Sequence, residues 1–151
     1  MKVHKDKRGL FVIGQGSEYD QMFVADSKHK FTFRGLHYQT DPLQVKTVKI
    51  LKGKVLDFLY DINTGEFKEY YLDPDSELLV IDKNFAHGYL TLEPDTILVY
   101  GVKGKFNPDT YSTIYYEDVE EVKNRIIDHI GLDFRSKLVI SDKDNGSYKI
   151  N

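Results

Sequence analysis

Short apolar segments separated by turn-forming sequences run along most of the chain. Segments rich in Val, Ile, Tyr, Phe and Thr alternate with turn signals such as Asn63-Thr64-Gly65, Asp73-Pro74-Asp75 and Asn107-Pro108-Asp109. Many short strands with regularly spaced turns are typical of an all-β sandwich or barrel. Because the sequence contains no internal repeat, low-complexity tract or linker-like change of composition, it predicts a single domain over residues 1–151.

One stretch near the C-terminus departs from this rhythm and predicts a helix. Asp118 stands at a suitable N-cap position, Glu121 completes a spacing like that of a capping box, and Gly131 follows the last apolar residue. The helix should pack on the outside of the β core, because its apolar residues form one stripe. The stripe consists of Val119, Val122, Ile126, Ile127 and Ile130.

Composition and charge exclude several classes of function. The 151 residues include no cysteine, which excludes disulfides, thiolate zinc sites and cysteine nucleophiles. A net charge of −3 argues against a broad nucleic-acid-binding surface, and a small anionic ligand held by a few basic side chains is compatible with it. The polar N-terminus is unlike a signal peptide, and no apolar stretch is long enough to span a bilayer. We therefore expect a cytoplasmic protein without nucleic-acid or membrane partners.

Two histidines lie in predicted strands and are flanked by glycine and aromatic residues. They are His37, in an Arg-Gly-Leu-His-Tyr-Gln segment, and His87, in a Phe-Ala-His-Gly-Tyr segment. An imidazole has an ordinary pKa of about 6.5, so it is an effective base near neutral pH when a carboxylate orients it. Asp142 and Asp144, near the C-terminus, are the candidates for that carboxylate.

Lys46 adds a cation to this set. Alternation along its predicted strand places Lys46 on the same face as Val48 and Ile50, which would point the ammonium into the barrel. The opposite interpretation, in which Val45 and its alternates face inward and Lys46 faces solvent, fits the alternation equally well. A base, a cation and a phenol such as Tyr100 suit removal of a proton beside a carbonyl and its return from another direction.

The same alternation places Arg34 on the face opposite His37 and Gln39. Glycine inside a strand often marks a bulge that re-aims the residues on either side. Gly35 stands between Arg34 and His37, so the sequence predicts an irregularity at this point of the strand.

A metal site is the competing chemistry, because small β-barrels often hold a metal ion with clustered His and Glu. The sequence has no His-x-His pair, and the nearest Glu after His87 is Glu93, six residues on. It also lacks a Gly-x-Ser-x-Gly elbow, a phosphate loop and a dinucleotide fingerprint. We expect no metal, and any nucleotide recognition must come from scattered side chains.

These residues resemble the dTDP-4-dehydrorhamnose 3,5-epimerases, isomerases that act on nucleotide sugars. The resemblance implies a cupin-like β-barrel or jelly roll with short C-terminal helices, and activity without cofactor or metal. It also implies a homodimer with shared active sites, a dTDP-linked sugar substrate and a place in dTDP-rhamnose biosynthesis for cell-surface polysaccharide. The matching segments are Asp6-x-Arg8-Gly9-x-Phe11, Arg34-Gly-Leu-His37-Tyr-Gln, Pro42 through Gln44 with Lys46, Phe85-Ala-His87-Gly, Tyr100, Asn107-Pro108 and Ser141-Asp-Lys-Asp144.

The resemblance also implies residue roles. His37 would be the general base, oriented by Asp144 or, alternatively, by Asp142. Lys46 would stabilise the enolate, and Tyr100 would be the phenolic acid that returns the proton. Substrate binding is implied for Arg8, Phe11, Arg34, Gln39, Gln44 and His87. Among these, Arg34 would contact the diphosphate, while Arg8 and Phe11 would reach into the neighbouring subunit's nucleotide site.

The sequence is also compatible with two other functions. A 3,4-ketoisomerase would use the same enolate with different proton placement, and a non-catalytic barrel would only bind the sugar nucleotide. His37, Lys46 and Tyr100 together disfavour pure binding, because binding needs neither a base nor an acid. One departure bears on the reaction: Phe106 stands where the family carries a second tyrosine, six residues after Tyr100.

Overall fold

The computed structural model describes residues 1–7, 9–14, 16 and 18–146. No helix among these residues is long and apolar enough to cross a membrane. The helices are α1 (Glu120–Ile130) and α2 (Phe134–Lys137), and a 3-10 turn at Tyr116–Asp118 precedes α1. The strands are β1 (Lys2–Asp6), β2 (Gly9–Ile13), β3 (Gln21–Ser27), β4 (Phe33–Gln39), β5 (Val45–Lys52), β6 (Val55–Asp61), β7 (Phe67–Leu72), β8 (Leu79–Ile81), β9 (Phe85–Thr91), β10 (Thr96–Lys103) and β11 (Tyr111–Thr113).

Two antiparallel sheets pack face to face. One has the strand order β11-β4-β9-β6-β7 and the other β3-β10-β5-β8, while β1 and β2 form a separate hairpin. Apolar side chains from both sheets meet between them, including Val48 and Ile50 from one sheet and Val55 and Leu59 from the other. The predicted all-β class is confirmed, and the space between the sheets holds the polar site described below.

The helices cover the outer face of the five-stranded sheet. Leu56 and Phe58 point outward from β6 and pack with Val122 and Ile126 of α1 and with Phe134 of α2. Because both faces of this sheet are covered, the apolar residues of β6 do not alternate with exposed polar ones. The predicted position of the helix outside the β core is therefore confirmed.

The predicted helix cap is wrong. The N-cap residue of α1 is Val119, with no side-chain hydrogen bond, and Asp118 belongs to the preceding 3-10 turn. The buried ring of Tyr116 explains the difference, because it packs against Phe33 and Phe134 and holds the chain in a tight turn before the helix.

Two local features direct polar side chains between the sheets. The pairing register of β4 with β9 shifts between Arg34 and His37, which confirms the predicted irregularity. Gly35 has φ +130°, and a Cβ there would lie 2.4 Å from the Gly88 Cα, so only glycine suits this position. On β5, Lys46 faces the interior, so the first of the two strand orientations holds.

Candidate active site

A cavity of about 390 Å³ lies between the two sheets and collects most of the predicted functional side chains. The predicted residues that line it are His37, Lys46, Tyr100, Asp144, Arg34, Gln44 and His87. Phe106, noted above as a departure from the family, lines it as well, together with residues that were not singled out from the sequence: Gln21, Phe23, Tyr89, Val102 and Tyr111.

His37 and Asp144 form a hydrogen-bonded pair. The His37 Nε2 lies 2.7 Å from the Asp144 Oδ1, and the Gly35 N–H donates to the Asp144 Oδ2 at 3.1 Å. Burial raises the pKa of Asp144, but the hydrogen bond and charge of His37 and the Gly35 N–H outweigh it, so the pKa lies below its usual range. Asp144 is therefore a carboxylate that can fix the proton on Nε2 and leave the lone pair on Nδ1. Asp142, the alternative partner, is exposed.

A second histidine–carboxylate pair lies deeper between the sheets. The His87 Nε2 is 2.7 Å from the Asp57 Oδ2, and both side chains are buried. Burial raises the pKa of Asp57, although the nearby His87 and Lys46 oppose the shift. Asp57 was not among the residues predicted from the sequence. The signal that could have identified it is a single acid within the otherwise apolar segment Val55–Leu59. An acid buried in such a strand needs a partner, which points to a functional pair.

Lys46 supplies a buried positive charge to the cavity. Its side chain is only 8% exposed, and within the described ranges its ammonium has no hydrogen-bonded acceptor. Burial lowers the pKa of Lys46 to about 8, although the charge of Asp57 raises it. The ammonium is thus available to an oxygen atom of a ligand.

Tyr100 and Tyr111 bring phenols to the cavity. The Tyr100 ring stacks on Phe23 with centroids 5.1 Å apart, and burial raises its pKa despite the opposing charge of Arg34. Tyr111 packs edge-on against Phe106 at 5.3 Å and lies 5.7 Å from the His37 ring, and burial also raises its pKa. Phenols with raised pKa values keep their protons at neutral pH, as proton donation requires.

In the described part of the chain, no group of three or more His, Asp or Glu side chains is placed to hold a metal ion.

Comparison with known proteins places the chain in a family. The sequence model of the family described as dTDP-4-dehydrorhamnose 3,5-epimerase matches residues 1–151. The chain belongs to this family. The epimerase of Methanothermobacter thermautotrophicus is 28% identical over 162 residues, which cover 95% of this chain and 83% of that protein. The predicted family and isomerase class are confirmed.

Solved epimerase structures share the fold. The Bacillus anthracis dTDP-4-dehydrorhamnose 3,5-epimerase, solved with TDP and PPi bound, matches with a TM-score of 0.73 and 26% identity over 95% of this chain and 87% of that one. The Legionella pneumophila dTDP-6-deoxy-D-glucose-3,5-epimerase, in complex with dTDP-4-keto-L-rhamnose, gives a TM-score of 0.70 and 26% identity over 95% and 81%. The predicted cupin-like jelly roll is confirmed.

In this epimerase, Gln39 does not line the cavity. Its Nε2 donates to the carbonyl oxygens of Pro42 at 2.7 Å and Lys105 at 2.8 Å, and its Oε1 accepts the Asn107 N–H at 2.8 Å. The amide therefore ties two loops together, and its contact with the substrate stays a prediction. Gln44 does line the cavity, and its Nε2 donates to the Gly104 carbonyl at 3.1 Å.

Of the two N-terminal residues predicted to bind nucleotide, only Phe11 lies within the described part of the chain. Phe11 on β2 is 65% exposed and is not among the residues that line the cavity. Arg8, the other predicted contact from this segment, lies outside the described residues.

Proposed function

We propose that this epimerase inverts C3, C5 or both in a nucleotide-linked 4-keto-6-deoxyhexose, of the dTDP-4-dehydro-6-deoxyglucose to dTDP-4-dehydrorhamnose type. The observation that carries this proposal is one cavity lined by a carboxylate-bound imidazole, a buried ammonium and protonated phenols. The hydrogens on C3 and C5 both flank the C4 ketone. Removal of either one gives an enolate whose charge collects on the C4 oxygen.

Each group has one task in this reaction. His37, oriented by Asp144, removes the proton through Nδ1, and Lys46 meets the charge that develops on the C4 oxygen. Tyr100 returns a proton to the other face of the carbon. A positioned base or acid typically contributes about 10²–10⁴ in rate, and a preorganised donor to an oxyanion about 10²–10³.

The nucleotide part of the substrate is proposed from charge and from the solved relatives. Arg34 lines the cavity and is exposed, so its guanidinium is available to a diphosphate. The relatives from Bacillus anthracis and Legionella pneumophila were solved with TDP and PPi and with dTDP-4-keto-L-rhamnose, respectively. These complexes support a dTDP-linked sugar.

Incubation with dTDP-4-keto-6-deoxyglucose in D2O tests the function. EDTA is present to remove divalent metals, and proton NMR follows the label. We expect deuterium to enter C3, C5 or both, and the ketone to stay at C4. A product with the ketone at C3 would instead identify a ketoisomerase. Binding without any exchange would identify a non-catalytic barrel.

We further propose that the enzyme is a cytoplasmic homodimer in which Arg8 and Phe11 complete the partner's site. The β1–β2 hairpin joins neither large sheet, and an isolated two-stranded hairpin is at best marginally stable. An ion pair between Lys5 and Asp75 ties the hairpin to its own chain, and Phe11 on the hairpin is still exposed. A second subunit would cover this ring.

Mixed dimers test the shared site. Arg8→Ala and His37→Asn homodimers should both be nearly inactive, but their heterodimer should regain about half of the wild-type activity, because one of its two sites keeps both residues. The measurement is turnover of heterodimers purified with two different affinity tags. A monomer by light scattering, or inactive heterodimers, would refute the shared site.

The replacement of a tyrosine by Phe106 predicts unequal reaction at the two carbons. Each new C–H bond needs a donor on the correct face, and we expect Tyr100 to serve one centre better than the other. Deuterium should enter one of the two carbons, C3 or C5, at least about tenfold faster than the other. This ratio corresponds to a difference of roughly 1.4 kcal/mol between the barriers for exchange at the two carbons. Phe106 lies at the cavity wall and is 51% exposed.

Phe106→Tyr should narrow this gap, while the matched control Phe106→Leu, which adds no hydroxyl, should not. The measurement is the rate of label entry at each carbon by proton NMR. Equal rates at both carbons in the unmodified protein would show that Phe106 does not limit the reaction.

A further inference from the structure

Among the buried polar atoms of the described residues that lack a hydrogen-bond partner, two belong to side chains that are paired across β6 and β9. They are the hydroxyl of Tyr89 and the Oδ1 of Asp57, and Tyr89 lines the cavity while being only 3% exposed. The nearby Lys46 ammonium also has no hydrogen-bonded acceptor among the described residues. A buried unpaired polar atom in a native structure calls for an explanation.

The three groups share one polar space. Asp57 on β6 and Tyr89 on β9 are directly opposite each other in the antiparallel pairing, so their side chains leave the same face of the sheet side by side. Lys46 and Tyr89 line the same cavity, and the charge of Asp57 acts on both of them. Arg34 and Tyr100 line the cavity beside Tyr89, and both influence its pKa.

The hydroxyl of Tyr89 is not needed for packing. Its ring belongs to the apolar cluster between the sheets, and a phenylalanine ring has the same shape there. An unsatisfied buried hydroxyl lowers the stability of the free protein, so its presence indicates a partner that arrives with the ligand. Burial raises the pKa of Tyr89, and the phenol therefore stays a hydrogen-bond donor at neutral pH.

We infer that Tyr89 donates a hydrogen bond to the C4 oxygen of the substrate and is the second donor, beside Lys46, to the enolate oxygen. This inference rests on the proposed function. A ketone matches these two donors, because its carbonyl oxygen can accept one hydrogen bond from Lys46 and one from Tyr89, and both residues line the cavity. Tyr89 would thus act on the same oxygen throughout the reaction, whichever carbon loses its proton.

Ser27 offers a competing explanation for Tyr89. This buried side chain approaches the Tyr89 hydroxyl without reaching hydrogen-bond geometry. If the hydroxyl only anchored Ser27, removing either partner would have the same effect. Ser27→Ala is therefore the matched control.

Tyr89→Phe, which removes one oxygen atom, tests the inference. We expect kcat for deuterium exchange to fall about 10²-fold, with KM and dTDP affinity changed less than about threefold, because the lost contact strengthens only in the transition state. The Tm should stay the same or rise by about 2–4 °C. Ser27→Ala should keep kcat within about threefold of wild type.

The other outcomes overturn the inference. A kcat of Tyr89→Phe within threefold of wild type, or an equal loss in Ser27→Ala, would remove Tyr89 from the reaction. A large fall in Tm or loss of the folded dichroism spectrum would show that the hydroxyl has a partner inside the protein. Deuterium exchange by the wild type is measured in parallel. If the wild type shows no exchange, the proposed epimerase function fails, whatever the role of Tyr89.

Discussion

His37→Asn is expected to reduce deuterium exchange by about 10⁴-fold, to near the background rate, while dTDP affinity stays within a few-fold of wild type. The physical reason is that asparagine keeps a polar side chain at this position but cannot accept the proton, so the chemical step is lost and binding is not. Exchange by NMR and calorimetric titration with dTDP measure the two effects separately.

The carboxylate behind His37 gives this experiment a matched pair of variants. Asp144→Asn removes the acceptor that lies 2.7 Å from the His37 Nε2, so the imidazole loses its fixed tautomer and kcat should fall by at least about 10²-fold. Asp142→Asn changes an exposed acid two residues away and should leave kcat within about twofold. Near-normal exchange in His37→Asn would remove His37 from the mechanism, and a larger loss in Asp142→Asn than in Asp144→Asn would reverse the assignment of its partner.

Local patterns in the sequence predicted the elements and several side-chain directions. Turn signals marked the short strands, and the spacing of Val122 and Ile126 predicted the helix that covers the sheet. Gly35 predicted the irregularity in β4, because glycine is the residue that tolerates such a backbone. Each of these features depends on a few neighbouring residues, which is why the sequence alone was sufficient.

Features that depend on distant residues were not predictable in this way. Strand alternation allowed two orientations of the Lys46 side chain, and the packing of the two sheets determines which one occurs. Asp57 pairs with His87 across 30 residues and Asp144 pairs with His37 across 107, and no local pattern encodes such a pairing. The sequence has 11 tyrosines, so Tyr89 could be distinguished only by its buried and unpaired hydroxyl.

Gln39 was predicted from a motif, but it does not line the cavity. It lies in the motif that also carries Arg34 and His37, so proximity in sequence suggested a shared role in binding. The side chain instead turns toward the Pro42 and Lys105 carbonyls. A motif fixes which residue types occur together, whereas the direction of each side chain follows from the bulge and the loops around it.

Lys46→Met is expected to lower kcat by about 10²–10³-fold, or roughly 3–4 kcal/mol of transition-state stabilisation. Methionine keeps most of the volume of the side chain but removes the charge that faces the enolate oxygen. Lys49→Met is the control on the same strand. Its ammonium donates to the carbonyl oxygens of Pro74 and Ser76, so this change should affect stability and leave kcat within about threefold.

The pH profile tests the charge of Lys46 more directly. Because burial lowers the pKa of Lys46 to about 8, the ammonium is lost above that pH, and kcat should fall about tenfold for each further pH unit. In Lys46→Arg the guanidinium keeps its charge throughout this range, so whatever activity this variant has should not fall above pH 8. An alkaline fall that is identical in both proteins would assign the titration to another group.

Stability should move in the opposite direction to activity over the same pH range. The unfolded lysine keeps its proton up to its ordinary pKa of 10.5, whereas the folded protein releases it at about 8. The unfolded state therefore binds more protons between these values, and the free energy of unfolding of the wild type should rise with pH relative to Lys46→Arg. An enzyme that loses activity while this difference in stability grows is not losing activity by unfolding. Urea denaturation of both proteins at pH 7 and pH 10 measures the difference, and a difference that stayed constant would show that Lys46 does not titrate in this range.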